Sequence, residues 1–277
     1  MRIGTSDALV ILGATVSLAL GAPAPAAAQF GEGNAAGIVS GHVHLNVSDV
    51  DAHARMWVEL WDGERVEARG LTAIRWPGLL LLLHEQAPTG GSQGTVMDHF
   101  GFKVRSTSGM LDGWRAEGHP VQSEFTGAEG FPNAYVVMPD EVRLELQEDP
   151  TLPVDVIGYH VHWNTPGFES VLDWYVDMFG LTRRTRGTIE TTTDVPGMNM
   201  SFGNAQEPRP GSRGRSIDRI GFEVVDLEAL VERLEARGLT FDEPLHDDPA
   251  LGVESATFTD PSGVVVELTE GLDALFR

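Results

Sequence analysis

His42, His99 and His160 hold the same place in three strand-like segments: GHVHLNV from Gly41, DHFGFKV from Asp98 and YHVHWN from Tyr159. In a fourth segment, DRIGFEV from Asp218, that place is Arg219. The four positions lie 57, 61 and 59 residues apart. An imidazole ligates divalent metals and moves protons near neutral pH. A guanidinium does neither, but it carries a fixed positive charge. Three of four equivalent places therefore offer chemistry, and a repeat at a fixed period means repeated supersecondary units.

Each unit must position its residue in the same way. Module four is the clearest. Ile220, Phe222 and Val224 alternate with more polar positions, as in a strand with one buried face. Asp226 then caps LEALVERLEARG, where Leu227, Leu230 and Leu234 recur at helical spacing and Gly238 stops the helix. ESATFTD, the turn Asp260-Pro261-Ser262-Gly263 and VVVELTE close the unit. In module three the helix is ESVLDWYVDMFG, ended by Gly180. Three polar stretches, Gln86–Thr95, Gln147–Asp155 and Asn204–Ser216, each precede an opening strand and divide the chain into four modules. Residues 29–40 read as a flexible N-terminus, and Pro150 and Pro153 read as the main domain break.

Composition limits the function. The formal charge of −22 argues against nucleic acid or an anionic membrane as a partner. The absence of cysteine removes disulfides, thiolate metal sites and cysteine nucleophiles. Residues 1–28, with Arg2, an apolar run from Ala8 and the ending Ala26-Ala27-Ala28, read as a cleavable signal peptide. A secreted, periplasmic protein is expected.

The β-α-β-β-β order, the helix Asp173-Trp174-Tyr175 to Gly180, the turn Asp260 to Gly263 and the strand Glu267-Leu268-Thr269-Glu270 resemble the vicinal oxygen chelate superfamily. That group holds glyoxalase I, extradiol dioxygenases, fosfomycin-resistance enzymes and bleomycin-binding proteins. The resemblance covers residues 41–271 and implies an α+β fold: four βαβββ modules forming two cup-shaped domains. Sequential pairing gives domain 1 at 41–149 and a degenerate domain 2 at 156–271.

The resemblance also implies that metal ligands lie on the first and last strands of each module, facing inward. Alternation puts His42, His44 and Asn46 on one face of their strand, and Arg143, Glu145 and Gln147 on one face of theirs. Aligned closing strands offer Leu82, Glu145, Ser201 and Glu267. The expected metal ligands are then His42, His99 and Glu145, a set suited to Fe(II), Mn(II), Zn(II) or Ni(II). If module two pairs with module three instead, the set becomes His99, Glu145 and His160. Arg219 is expected to pair with Glu267 in a metal-free second cup.

The family's extradiol members imply that Tyr135 and His84 orient substrate or move protons. His44 is a candidate substrate contact, and Arg143 beside Glu145 either binds an anionic substrate or orients that carboxylate. His162 reads as polar filling, His53, His119 and His246 as solvated, and Trp57, Trp61 and Trp174 as helix packing. Leu82 departs from glyoxalase I, where a fourth ligand stands. The expected function is a divalent-metal enzyme, dioxygenase-like or lyase/isomerase-like, acting on a small substrate with vicinal oxygens. The alternative is a metal-free binding protein of the bleomycin-resistance type. A monomer or homodimer is expected, without nucleic acid or membrane partners.

Overall fold

The computed structural model describes residues 30–276; the expected leader at 1–28 lies outside them. Module one comprises β1 (Ile38–Val47), α1 (Val50–Trp61), β2 (Glu64–Ala68), β3 (Leu71–Trp76) and β4 (Leu79–Glu85). Module two comprises β5 (Met97–Val104), α2 (Thr107–Ala116), β6 (Val121–Thr126), β7 (Pro132–Met138) and β8 (Val142–Glu148). Module three follows with β9 (Val156–Asn164), α3 (Phe168–Phe179), β10 (Arg183–Arg186), β11 (Ile189–Val195) and β12 (Met198–Gly203). Module four has β13 (Ile217–Val224), α4 (Leu227–Ala236), β14 (Glu243–Asp247), β15 (Glu254–Thr259) and β16 (Val265–Glu270), and a short α5 (Leu272–Leu275) ends it.

The helices form where their caps and periodicity require. Asp226 accepts the Ala229 amide at the start of α4, and Gly180 ends α3 with φ of 63°. β1 starts at the buried Ile38, so the expected flexible segment is shorter than 29–40. Among the described residues, no helix is long and apolar enough to cross a membrane.

Two eight-stranded mixed sheets result. One runs β14-β15-β16-β13-β1-β4-β3-β2 and the other β10-β11-β12-β9-β5-β8-β7-β6. Module one therefore pairs with module four, and module two with module three. This differs from the sequential pairing and from the domains 41–149 and 156–271 built on it. The two-proline segment is the reason. β8 runs parallel to β5, and β9 runs antiparallel to β5 with Val104 opposite Val156. The chain has only to turn past the end of β5, and Asp149 and Arg105 close that turn through backbone bonds to Val104 and Asp155. The Gly-rich stretches are the ones that carry the chain between sheets.

The apolar faces of both sheets share one core with the four long helices. Trp57 lies fully buried within 6.2 Å, ring centre to ring centre, of Trp61, Trp76, Phe100 and Phe102. As expected, it is helix packing. Trp57→Ala empties the space between modules one and two and should cost about 3–5 kcal/mol. Urea denaturation measures it, and a loss below about 1 kcal/mol would contradict this role.

Candidate active site

The inner faces of the two sheets have different fates. In the sheet of modules one and four, a second apolar cluster covers the inner face: Leu80 and Leu82 from β4 meet Phe30, Leu251, Leu272 and Phe276. The ends of the described chain thus plug this cup. In the sheet of modules two and three the inner face is polar and carries His99, Asn133, Tyr135, Glu145, Gln147, His160, His162, Arg186, Asn199 and Ser201.

Glu145 is the hub of that open cup. Its Oε2 accepts a hydrogen bond from His99 Nε2 at 3.0 Å and from the Tyr135 hydroxyl at 3.2 Å; its Oε1 accepts from Asn133 Nδ2 at 2.7 Å. His160 Nε2 lies 3.2 Å from the same Oε2 but out of line for a hydrogen bond, so both its ring nitrogens are buried without a partner. Ligand atoms of His99, Glu145 and His162 all lie within 4.8 Å of one another. His162, expected as filling, thus joins the group, with a buried, unpartnered Nδ1.

A second layer fixes the first. His99 Nδ1 donates to Asp98 Oδ1 at 2.9 Å, which aims Nε2 into the cup. Asp98 is itself bound by the Gly94 amide, Arg209 and Arg143. Arg143, a candidate substrate contact, also lies over the Tyr135 ring at 3.7 Å. Gly101 makes the site possible: a Cβ there would stand 2.1 Å from His160 Cε1.

Burial would lower the His99 pKa, but hydrogen bonds to Asp98 and Glu145 outweigh it and raise it. Burial would raise Glu145, yet His160 and His99 hold it well below the usual carboxylate range. Burial pushes His160 down to about 4 and also lowers His162, so both present neutral rings. Burial raises the Tyr135 hydroxyl, and the Glu145 charge adds to that, so it stays protonated.

The remaining sequence candidates lie in the plugged cup. His42 Nε2 and His44 Nε2 each sit 2.8 Å from Glu267 Oε2, and His84 Nε2 is 2.7 Å from His44 Nδ1. His42 therefore does not join His99 and Glu145, and His84 does not join Tyr135; the module pairing separates them. Arg219 pairs with Glu267 as expected, at 3.1 Å. His53, expected as solvated, is buried and bonds Asp140 at 3.1 Å.

These histidines set an acid limit. His44, lowered to about 3 chiefly by burial, and His160 and His162, also lowered, stay neutral when folded but take up protons near 6.5 when unfolded. Their contribution is present above pH 6.5 and is lost as pH falls towards the folded values. Burial lowers His53 and His84 as well; His99 acts in the opposite sense, and one raised histidine against five lowered ones leaves a net loss. The urea midpoint of EDTA-treated protein should be lower at pH 5 than at pH 7.5; an unchanged or higher midpoint would contradict this.

Fold and site together define a double cup of paired βαβββ modules, with one inward-facing histidine–carboxylate cluster open and the other plugged. Residues 159–268 match the model of the Glyoxalase/Bleomycin resistance protein/Dioxygenase superfamily. Glyoxalase I from Zea mays aligns with a TM-score of 0.68 at 14% identity, over 86% of this chain and 94% of its own. A point mutant of that enzyme gives 0.69 at 14% identity, over 86% and 96%. A provisionally assigned dioxygenase from Bacillus subtilis gives 0.65 at 12% identity, over 84% of each. No curated protein matches the chain in sequence. Residues 159–268 thus carry the sequence pattern of that superfamily, and the two sheets share the fold of these solved structures.

Proposed function

We propose that the open cup of modules two and three is a divalent-metal catalytic site for a small substrate with vicinal oxygens. The ligands are His99, His160 and Glu145, with His162 in reach. The observation that carries this reading is His160: a buried imidazole with two unpartnered nitrogens, held against the carboxylate that His99 also faces. Leaving such polar atoms without a partner costs about 1–3 kcal/mol each, and a metal ion on the unprotonated nitrogen relieves one of the two. Two imidazoles and a carboxylate with open positions suit Fe(II), and equally Mn(II), Zn(II) or Ni(II).

A divalent ion bound there supplies Lewis-acid polarisation of adjacent substrate oxygens. Asp98 holds the His99 tautomer whose Nε2 faces the cup. Tyr135, protonated and stacked under Arg143, donates a proton or a hydrogen bond to an oxygen beside Glu145. Neutral His162 accepts a proton from a group that enters near His99. The ligand atoms of His42, His44 and Glu267 also lie within 4.8 Å of one another, but in that plugged cup Arg219 already supplies the positive charge at Glu267, and we assign no metal there.

A metal-free binding protein is the competing reading, favoured by the three hydrogen bonds that already satisfy Glu145. Melting temperature separates the two. The proposal expects EDTA to lower it and one of Fe(II), Mn(II), Zn(II) or Ni(II) to restore it, following RT ln(1 + [L]/Kd). A melting point indifferent to all of them would favour the binding protein. The leader at 1–28 supports export to the periplasm, which N-terminal sequencing of the exported chain tests. Each sheet is completed within one chain, which supports a functional monomer.

A further inference from the structure

Arg186, at the end of β10, is 4% exposed. Its Nη1 donates to Gln147 Oε1 at 2.8 Å and its Nη2 to Ser201 Oγ at 3.2 Å, while its buried Nε has no partner. Both acceptors are neutral. The neighbouring Arg183 and Arg184 pair with Asp173 and Asp194. Arg186 has no carboxylate within ion-pair distance among the described residues, although the chain carries 41 acidic side chains. The Tyr159 ring, 5.6 Å from the guanidinium carbon, is a weak partner for the charge; a buried cation without a carboxylate is costly and persists where something compensates it.

The place of Arg186 identifies the partner. Gln147 shares the inner face of β8 with Glu145, two residues away, and Ser201 lies opposite His162 across β9 and β12. Two strand residues span about 7 Å, the length of a small organic acid. The Gln147 and Ser201 bonds fix the guanidinium plane and leave the Nε edge free, and a planar fork of N–H groups matches a carboxylate.

We propose that Arg186 binds the carboxylate of a small acid, so that the substrates of the open cup are anionic: short carboxylic acids with further oxygens at the Glu145 end. This rests on the reading of that cup as a small-molecule site. Pyruvate and malonate serve as probes, with ethanol as a neutral control, against the full chain both treated with EDTA and loaded with metal. In EDTA-treated wild type, both acids should raise the melting temperature with concentration and bind measurably in calorimetry, and ethanol should do neither. Arg186→Met should abolish binding, and Arg186→Lys should weaken it at least tenfold, because a point charge replaces the fork.

Unliganded Arg186→Met should melt within a few degrees of wild type, as no ion pair is lost. Wild type that binds neither acid, with or without metal, would overturn the proposal, as would an Arg186→Met variant that binds them as wild type does. Metal content answers separately for the catalytic reading: acid binding without metal uptake upholds Arg186 and sinks the metal site.

Discussion

Glu145→Gln should reduce the metal content of the purified chain from about one equivalent to background. The carboxylate is the one anionic donor of the cluster, and Oε2 is the atom that both His99 and His160 face. Glutamine keeps the shape, so Asn133 retains an acceptor and the cup should stay folded. What disappears is the charge. Removing groups that only orient ligands costs about 10–100-fold in metal affinity, so a lost anionic ligand should cost at least about 100-fold, or about 2.7 kcal/mol. The rise in melting temperature on adding metal should vanish as well. Glu267→Gln is the companion measurement. It strips the charge from the plugged cup, where Arg219 already supplies the positive partner, and should leave metal content unchanged. A Glu145→Gln protein that keeps a full equivalent would sink the catalytic site. Loss of metal from Glu267→Gln alone would move it to the other cup.

The fold was legible because its signals are local. Strand alternation, the Asp226 cap, the Gly180 stop and the Asp260–Gly263 turn each act within a few residues, and all four modules repeat them. Module pairing was not legible, because strands from different modules meet through backbone bonds that carry no residue code. The opening strands do hold a partial signal. Modules one and three read H-V-H, whereas two and four read G-S-x-G, three residues, Asp, then His99 or Arg219, then x-G-F. Each cup takes one strand of each type, because the glycine of one makes room for the histidine of the other. That complementarity allows pairing one with two or one with four, and the short turn at Asp149–Asp155 decides between them.

The site was legible to the same degree. His99, Glu145, Tyr135 and Arg143 lie on one module and fall together. His42, His44 and His84 lie on another and fall together elsewhere, as the pairing dictates. His160 was reachable only through the alternative pairing. His162 carries the same alternation as His44, and that was its signal. Arg186 had none: in R-R-T-R nothing distinguishes the arginine that turns inward from the two that pair with surface acids.

Gly101→Ala should damage the fold and the site together. The added Cβ would stand 2.1 Å from His160 Cε1 and 2.6 Å from Nδ1. His160 is fully buried, so its ring cannot swing clear, and β5 is held between β8 and β9. Overpacking of this kind costs about 1–3 kcal/mol. The ring that must move is also a proposed ligand, so metal uptake should fall along with the melting temperature. Gly221→Ala separates the two effects. Gly221 faces His42 in the plugged cup as Gly101 faces His160, and its Cβ would stand 2.0 Å from the ring. The steric conflict is the same, but no metal is assigned there. Gly221→Ala should lower stability by a similar amount and keep one equivalent of metal. Urea unfolding of EDTA-treated protein gives the first quantity, and elemental analysis of metal-loaded protein the second. If both variants keep their metal, His160 is not a ligand and His162 takes its place beside His99 and Glu145. If both lose it, the metal loss follows from lost stability rather than from a displaced ring, and the two cups are coupled through the core they share.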